Sequence, residues 1–195
     1  DIKEKYGQDF YVFGEFWNPD KDANLDYLEK IEERFDLVDV RLHMNLFEAS
    51  QAGADYDLRT IFNDSLVQIK PDKAVTFVEN HDTQRGQALE STVEEWFKPA
   101  AYALILLREQ GLPCVFYGDY YGISGQYAQQ DFKEVLDHLL AIRKDLAYGE
   151  QTDYFDDPNC IGWVRSGADN QSPLAVLISN AQENYKTMFV GPEWA

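Results

Sequence analysis

Strand-like and helix-like patterns alternate about four times within residues 1–148, and this alternation restricts the fold more than any other feature of the sequence. Apolar and β-branched runs typical of buried strands occur at 11–17, 35–40, 74–78 and 113–119. Apolar residues at helical spacing follow each run, at 24–34, at 42–63 as two short pieces, at 91–107 and at 131–145. Alternation of this kind predicts an α/β fold with parallel strands and crossover helices.

The pattern changes near Gly149. Beyond it only short strand patterns separated by turn residues remain, at 154–155, 161–164, 174–178 and 187–190. We therefore expect an α/β domain at 1–148 and the beginning of an all-β domain at 149–195.

Four strand–helix units are compatible with two folds. One is half of an eight-fold barrel, which in full needs about 250 residues, and the other is an open doubly wound sheet. No Gly-x-Gly-x-x-Gly sequence and no phosphate-binding Gly-Lys-Ser/Thr loop follows any strand pattern, so a nucleotide-binding sheet has little support. A half barrel would leave two strand edges unpaired. We therefore expect the fragment to dimerise, or to need the missing half of the barrel.

Composition excludes several classes of partner. The chain has 195 residues, of which 45% are hydrophobic and 14% aromatic, which is ample for a packed core. A net charge of −18 argues against nucleic acid and against an anionic membrane surface, but not against a neutral ligand such as a sugar. No run of about 18 apolar residues is present that could span a membrane.

The two cysteines, Cys114 and Cys160, show neither metal-binding spacing nor a disulfide framework. Cys114 lies in an apolar strand pattern, so we expect a buried, inert thiol. Unpaired cysteines and the absence of a visible signal peptide favour a cytoplasmic location.

Polar residues are concentrated directly after the strand pattern at 74–78. The apolar run ends abruptly in Glu79, Asn80, His81 and Asp82. The carboxyl ends of parallel strands are where α/β proteins place their chemistry. The alternative is that Asn80 and Asp82 only begin a turn.

Glu15 ends the first strand pattern much as Asp82 follows the third. In a barrel both carboxylates would point into the same mouth, and two carboxylates that flank one bond are the minimum for cleaving a glycoside. Phe16 and Trp17 follow Glu15, and burial beside aromatic rings raises the pKa of a carboxyl group. Glu15 is therefore the better general acid, and Asp82 the better ionised carboxylate.

Two stretches, 14–17 (Gly-Glu-Phe-Trp) and 77–84 (Phe-Val-Glu-Asn-His-Asp-Thr-Gln), resemble the third and fourth signature regions of the α-amylase family of glycoside hydrolases. The closest resemblance is to the bacterial liquefying type. It extends in order through 96–99, 111–113, 116–119, 147–149 and 153–156. The resemblance implies strands five to eight of a TIM-type (β/α)8 barrel, followed by the truncated start of an all-β domain.

The resemblance also implies an activity and a set of residue roles. The parent enzyme would be an endo-acting, retaining hydrolase of α-1,4 links in starch and maltooligosaccharides. Glu15 would be the general acid/base and Asp82 the carboxylate that stabilises the transition state. His81, Trp17, Gln84 and Asn80 would contact the α-glucan. For Trp17 the alternative is a ring that belongs to the core.

Two departures from the family pattern limit these expectations. The family's nucleophilic Asp lies in an Arg-x-Asp-Ala pattern that this sequence lacks, so we expect the isolated fragment to be inactive. Calcium is expected in the parent enzyme, with most ligands outside this chain. Asn159 and Asn180 match positions where some relatives bind calcium with acidic side chains, and neutral amides bind calcium less well. We therefore predict no metal site within the chain.

Two other functions stay open at this point. The fragment could be a relic, or a non-catalytic module with weak glucan binding. A metal-dependent hydrolase could use His81 and Asp82, but it needs further ligands, and His43 and His138 are poorly placed in the sequence to supply them.

Overall fold

Four short parallel strands form a sheet in the first part of the chain. In the computed structural model, which describes residues 2–7, 10–168, 171–182 and 184–191, they are β1 (Phe13–Gly14), β2 (Asp36–Val38), β3 (Ala74–Phe77) and β4 (Leu112–Cys114). The strands pair in chain order, β1-β2-β3-β4, and each is parallel to its neighbour. Consecutive order is the arrangement of a barrel wall, whereas a doubly wound sheet reverses direction at a switch point.

Helices connect these strands. They are α1 (Ile2–Tyr6), α2 (Lys21–Lys30), α3 (Val40–Ala52), α4 (Leu66–Ile69), α5 (Lys98–Leu106), α6 (Tyr117–Tyr121) and α7 (Lys133–Leu146). Side-chain oxygens cap three of them, since Asp20, Asp39 and Ser65 accept hydrogen bonds from the first turns of α2, α3 and α4. Among the described residues, no helix is long and apolar enough to cross a membrane.

The two faces of the sheet have different surroundings. Along β3, Ala74 and the following Val78 belong to the main core between sheet and helices, together with Leu37, Leu46 and Leu104. The alternate residues Val75 and Phe77 belong to a smaller cluster with Val38, Val40, Trp17 and Met44. Because side chains alternate along a strand, this second cluster marks the inner face, which would face the interior of a barrel.

Both outer edges of the parallel sheet are unpaired among the described strands. β1 joins β2 through two residue pairs, Phe13 with Asp36 and Gly14 with Leu37. The segment that leads into β1 is apolar and exposed, with Phe10 67%, Tyr11 51% and Val12 46% accessible. At the other edge, Leu112 is 46% accessible. The sheet therefore presents two free edges of the kind that native proteins normally cover.

A second sheet is antiparallel and packs against the helical layer of the first part of the chain. It comprises β5 (Gln151–Asp157), β6 (Cys160–Arg165) and β7 (Leu174–Ser179), paired in that order. The central strand β6 is buried throughout. Trp163 on β6 is fully buried, and its Nε1 donates to the carbonyl of Leu107 at 3.3 Å.

Arg108, which lies between α5 and β4, holds the antiparallel sheet against the helical layer. Its guanidinium donates to both carboxylate oxygens of Asp153, each at 2.8 Å, and its carbon centre lies 4.6, 5.3 and 5.4 Å from the rings of Phe62, Phe155 and Trp163. A planar cation held by a bidentate carboxylate and three rings is a specific contact. It fixes how the antiparallel sheet sits against the helical layer.

Several local expectations are wrong. The stretch 42–63 contains one helix that begins at Val40, followed by 3-10 turns, and not two helical pieces. The helix expected from Ser91 begins only at Lys98, with Pro99 in its first turn. Cys114 is exposed and not buried, because it lies on the free edge strand β4.

The strand expected at 187–190 is also absent from the described segment 184–191, although Tyr154 and Phe189 share hydrogen bonds there. Residues 192–195, the end of the expected all-β segment, lie outside the described residues.

Candidate active site

The residues that follow β1 and β3 meet at the carboxyl ends of these strands, and Asn80 joins them. Its Nδ2 donates to Glu15 Oε1 at 3.3 Å. Its Oδ1 accepts from the backbone N–H of Asp82 at 2.9 Å and from that of Thr83 at 3.0 Å, which is an Asx turn. Asn80 therefore starts a turn, as the alternative interpretation held, and the same turn brings the Asp82 segment to Glu15.

Glu15 reaches this position because Gly14 precedes it. A Cβ atom at Gly14 would lie 2.6 Å from the ring of Phe35, so any larger residue would have to displace this ring. Glu15 itself is exposed. The burial by aromatic neighbours expected for Glu15 is absent, because the Phe16 ring stacks on Tyr27 with centroids 4.4 Å apart.

The other expected substrate-contacting residues differ in exposure. The His81 side chain is 73% accessible and that of Asp82 40%, and His81 Nε2 lies 3.7 Å from Asp82 Oδ2. Gln84 is half-buried on the same loop. Trp17 is half-buried with its ring 6.2 Å from that of Phe77 and 5.9 Å from that of His43. Trp17 thus packs on the inner face of the sheet, close to the rim but not as a freely exposed platform.

A cleft of about 330 Å³ opens at this rim. Its floor is the apolar inner face of the sheet, and its mouth carries Glu15, Asn80 and His81. Phe116 and Tyr117 form one side, and Tyr117 is 72% accessible. Polar groups around an apolar floor with an aromatic side wall suit a ligand with both hydroxyls and apolar faces.

A buried polar layer, which we define as Glu79, Lys98, Tyr102 and Asp119, lies directly beneath the rim. The Lys98 and Asp119 side chains are fully buried and bonded to each other, and Lys98 Nζ is 3.6 Å from Glu79 Oε1. The Tyr102 hydroxyl donates to Asp119 Oδ2 at 2.6 Å. One buried cation therefore faces two buried carboxyl groups.

Glu79 is the carboxyl group of this layer whose pKa is raised towards neutral pH. Burial raises the pKa of Glu79 to about 7, and the Asp119 charge adds to this while Lys98 opposes it. Glu79 Oε1 also accepts from the backbone N–H of Val93 at 2.7 Å, while Glu79 Oε2 has no hydrogen-bond partner in the structure. Glu79 is thus a carboxyl group that is half ionised near neutral pH, one residue before Asn80.

Sequence reasoning missed this layer, although Lys98 carries a signal. It follows the buried Phe97 and begins α5, whose apolar residues from Ala101 to Leu106 are all buried. A lysine inside an apolar helical stripe requires a buried acidic partner. The sequence shows that requirement but does not identify Asp119 as the partner.

The residues that match a possible calcium position do not fit the ion. Asn180 Nδ2 donates to the carbonyls of Gly53 and Tyr56 at 2.7 and 2.8 Å. Asn159 Nδ2 donates to the carbonyl of Ala54 at 2.7 Å and to Asn180 Oδ1 at 2.9 Å. Calcium requires oxygen ligands, ideally carboxylates, and here amide N–H groups already occupy these carbonyls. At this point amides join the antiparallel sheet to the turn that follows α3.

Metal ligation elsewhere gains no support from the histidines. Both ring nitrogens of His43 are bonded, to Val78 and Ser91, and His138 is exposed on α7. Within the ranges that the structure describes, no group of three or more His, Cys, Asp or Glu side chains could hold a metal ion.

Comparison with known proteins supplies the family. The profile described as "Alpha amylase, catalytic domain" matches residues 1–186. A glucan 1,4-alpha-maltohexaosidase of Bacillus sp. (strain 707) is 48% identical over 97% of this chain and 37% of its own length. A cytoplasmic alpha-amylase of Escherichia coli (strain K12) is 43% identical over 99% of this chain and 41% of its own. The chain therefore spans about two fifths of the length of these relatives.

A solved structure agrees on the fold. The cyclic alpha-maltosyl-(1→6)-maltose hydrolase from Arthrobacter globiformis superposes with a TM-score of 0.57 at 20% identity, over 91% of this chain and 43% of that one. The parallel sheet with its helices is a TIM-barrel fragment, and an antiparallel sheet follows it. The resemblance to the bacterial liquefying type is confirmed by the Bacillus relative, and the chain belongs to the α-amylase family.

Proposed function

We propose that this chain is part of an endo-acting, retaining α-1,4-glucan hydrolase that cleaves starch and maltooligosaccharides. The observation that carries the proposal is the hydrogen bond between Asn80 and Glu15, which sets two carboxylates from different strands on one rim. Family membership and the names of the relatives support the choice of substrate. The proposal applies to the whole enzyme, of which this chain supplies one part.

In this mechanism Glu15 donates a proton to the glycosidic oxygen that leaves, and later removes a proton from the water that attacks. Its exposure at the cleft mouth gives a sugar access to the carboxyl group. The Asp82 carboxylate stabilises the positive charge that develops on the sugar ring. His81, Asn80 and Gln84 bind sugar hydroxyls, and Trp17 supports the cleft floor as an aromatic surface beside the leaving sugar.

We assign β1 to β4 to strands five to eight of the barrel, with residues 1–148 as the catalytic domain and 149–195 as the beginning of the all-β domain. The consecutive strand order and the two free edges support this assignment. The missing barrel half would cover those edges and would bring the nucleophilic Asp and most calcium ligands. Retaining hydrolysis needs a nucleophile roughly 5–5.5 Å from the acid, so the isolated chain should be inactive.

The cytoplasmic location remains a proposal. Both cysteines are free, which agrees with a reducing compartment, and the Escherichia coli relative is named a cytoplasmic enzyme.

Glu15→Gln in the full-length enzyme tests the proposal. Loss of a general acid/base should lower kcat on soluble starch by roughly 10²–10⁴-fold, with the thermal midpoint unchanged. Glu29→Gln, at an exposed glutamate on α2, is the matched control and should keep full activity. Full activity of Glu15→Gln would refute the assigned role. Release of reducing ends by the isolated chain would refute the need for an external nucleophile, whereas binding without cleavage fits both the proposal and a glucan-binding fragment.

A further inference from the structure

His43 lies under the rim and contacts both ends of one loop. The side chain projects from α3, is fully buried, and stacks on Phe77 with ring centroids 5.0 Å apart and planes 9° apart. Its Nδ1 is 2.8 Å from the carbonyl of Val78, and its Nε2 is 2.7 Å from the hydroxyl of Ser91. The mechanism proposed above uses neither His43 nor Ser91.

The loop between these two contacts, residues 79–90, carries the rim residues Asn80, His81 and Asp82. Two backbone bonds cross it: Leu89 N–H donates to the Asp82 carbonyl at 3.1 Å, and Ser91 N–H donates to the Thr83 carbonyl at 3.0 Å. Backbone hydrogen bonds therefore join the two sides of the loop, and the His43 imidazole connects its two ends to α3.

The partners of His43 determine where its proton sits. A carbonyl only accepts hydrogen bonds, so Nδ1 carries the hydrogen and donates to Val78. Burial lowers the pKa of His43 to about 4, so the ring is neutral near neutral pH and Nε2 accepts from the Ser91 hydroxyl. The same hydroxyl lies 2.9 Å from the Leu89 carbonyl, which is its alternative acceptor. The imidazole therefore acts as a two-ended link between β3 and the far end of the loop.

The ring also reaches the other catalytic strand. Trp17, two residues after Glu15, has its ring 5.9 Å from that of His43 and tilted by 55°. One buried side chain thus contacts the segments that carry both proposed catalytic carboxylates. Few positions in a sheet rim can fix two strands and a loop at once.

We infer that His43 and Ser91 are positioning residues that hold the 79–90 loop, and with it Asp82 and His81, in the geometry that catalysis requires. This inference rests on the proposed function. Small displacements of catalytic groups lower the rate much more than they lower ground-state binding, and about 1 Å can cost roughly 10²-fold. The loss of this link should therefore reduce kcat more than it raises KM.

The test uses Ser91→Ala and Ser91→Thr in the full-length enzyme. Ser91→Ala removes the hydroxyl bond to His43 and should lower kcat roughly tenfold with little change in KM. Ser91→Thr keeps a hydroxyl and should restore most of kcat. Ser179→Ala is the matched control, since Ser179 at the end of β7, far along the chain from the rim, donates its hydroxyl bond to the carbonyl of Ala181. A purely structural role would lower stability equally in both alanine variants and leave kcat unchanged.

A second readout does not depend on activity. Amide hydrogen exchange at Leu89 and Ser91 should accelerate in Ser91→Ala and stay unchanged in Ser179→Ala. His43→Phe removes both hydrogen bonds of the imidazole. If this variant fails to fold, the Ser91 variants still test whether the link between His43 and the loop is needed for catalysis.

The outcomes separate the two proposals. If Glu15→Gln is inactive but Ser91→Ala keeps the kcat and the exchange rates of the unmodified enzyme, the link is refuted and the proposed function stands. If Glu15→Gln is fully active, the proposed function fails, and faster exchange in Ser91→Ala would still support the link between His43 and the loop.

Discussion

The rim and the buried polar layer beneath it contain similar residue types in opposite environments. At the rim, Glu15 is exposed and His81 is 73% accessible, with one long contact each to Asn80 and Asp82. One residue before Asn80, Glu79 turns inward to Lys98, whose side chain is fully buried. The two regions meet at Glu79 and Asn80, which are consecutive in sequence but differ in access to solvent.

This difference shows how a carboxylate-rich strand end is divided between two tasks. Groups that must exchange protons with a substrate remain open, while the groups below them are paired and hold the backbone in place. A buried ion pair adds little net stability compared with apolar residues, but the loss of one partner leaves an uncompensated charge. We therefore expect substitutions at the rim to change activity, and substitutions in the buried layer to change stability.

The largest expected effect on stability is that of Lys98→Met. It leaves Asp119 and Glu79 buried without a cation, and should lower the free energy of unfolding by about 3–5 kcal/mol. Urea unfolding of the purified protein measures this change. Lys133→Met is the control, because Lys133 pairs with Asp137 on the surface, where solvent screens the pair, and its loss should change stability little. An equal loss of unfolding free energy in both variants would contradict the proposed difference between the buried layer and the solvent-exposed groups.

A smaller, pH-dependent effect is expected from Glu79→Gln. The folded-state pKa of Glu79, about 7, lies above its ordinary value of 4.5, so its stabilising contribution is present below the ordinary value and is lost as pH rises through 7. The glutamine keeps an acceptor for Val93 but does not titrate. Between pH 5 and pH 8 the unmodified protein should therefore lose about 2 kcal/mol more than the variant, measured by urea unfolding at both pH values.

Titration of His43 should change stability with pH in the opposite direction to Glu79. Its folded-state pKa, about 4, lies below its ordinary value of 6.5, so its contribution is present above 6.5 and is lost as pH falls towards 4. The two groups act in opposite directions between pH 4.5 and 6.5. A pH profile that is the same in Glu79→Gln and in the unmodified protein would contradict the assignment to Glu79.

The smallest effect is expected at the junction between the antiparallel sheet and the turn after α3. Its polar groups are hydrogen-bonded, as in the buried layer, but they are only half-buried. Asn180→Asp replaces an amide donor by a carboxylate that faces the carbonyls of Gly53 and Tyr56. Without a cation this should cost about 1 kcal/mol, and added calcium should restore it. Thermal unfolding with EDTA and with millimolar calcium measures both changes. A calcium response of the unmodified junction, absent in Asn180→Ala, would contradict its being closed by amides alone.

Local patterns in the sequence carry information about some of this architecture. The end of β3 was predictable because an apolar run stops at Glu79 and an Asx-forming Asn80 follows. The alternation of strands and helices predicted parallel strands with crossover helices for a similar reason, since each unit is recognised from its own residues, and the family resemblance then selected the barrel.

Features that depend on distant partners were not predictable in this way. Ser91 has the sequence of a helix cap, but its hydroxyl is bonded to His43, which is 48 residues away, and the helix begins at Lys98. Cys114 has the surroundings of a core residue, but its exposure depends on which strand, if any, pairs beyond β4. No local pattern contains either partner.

The few hydrogen-bonded pairs between β1 and β2 make the protein prone to self-association at this edge. Two residue pairs join this strand to the sheet, and an exposed run of Phe10, Tyr11 and Val12 leads into it. A strand held by so few bonds can be displaced by a similar strand from another molecule, and the exposed rings then add apolar contact. Association at this edge depends on protein concentration, so the shelf life of a concentrated sample will be governed by the beginning of the chain and not by the buried layer that dominates its resistance to urea.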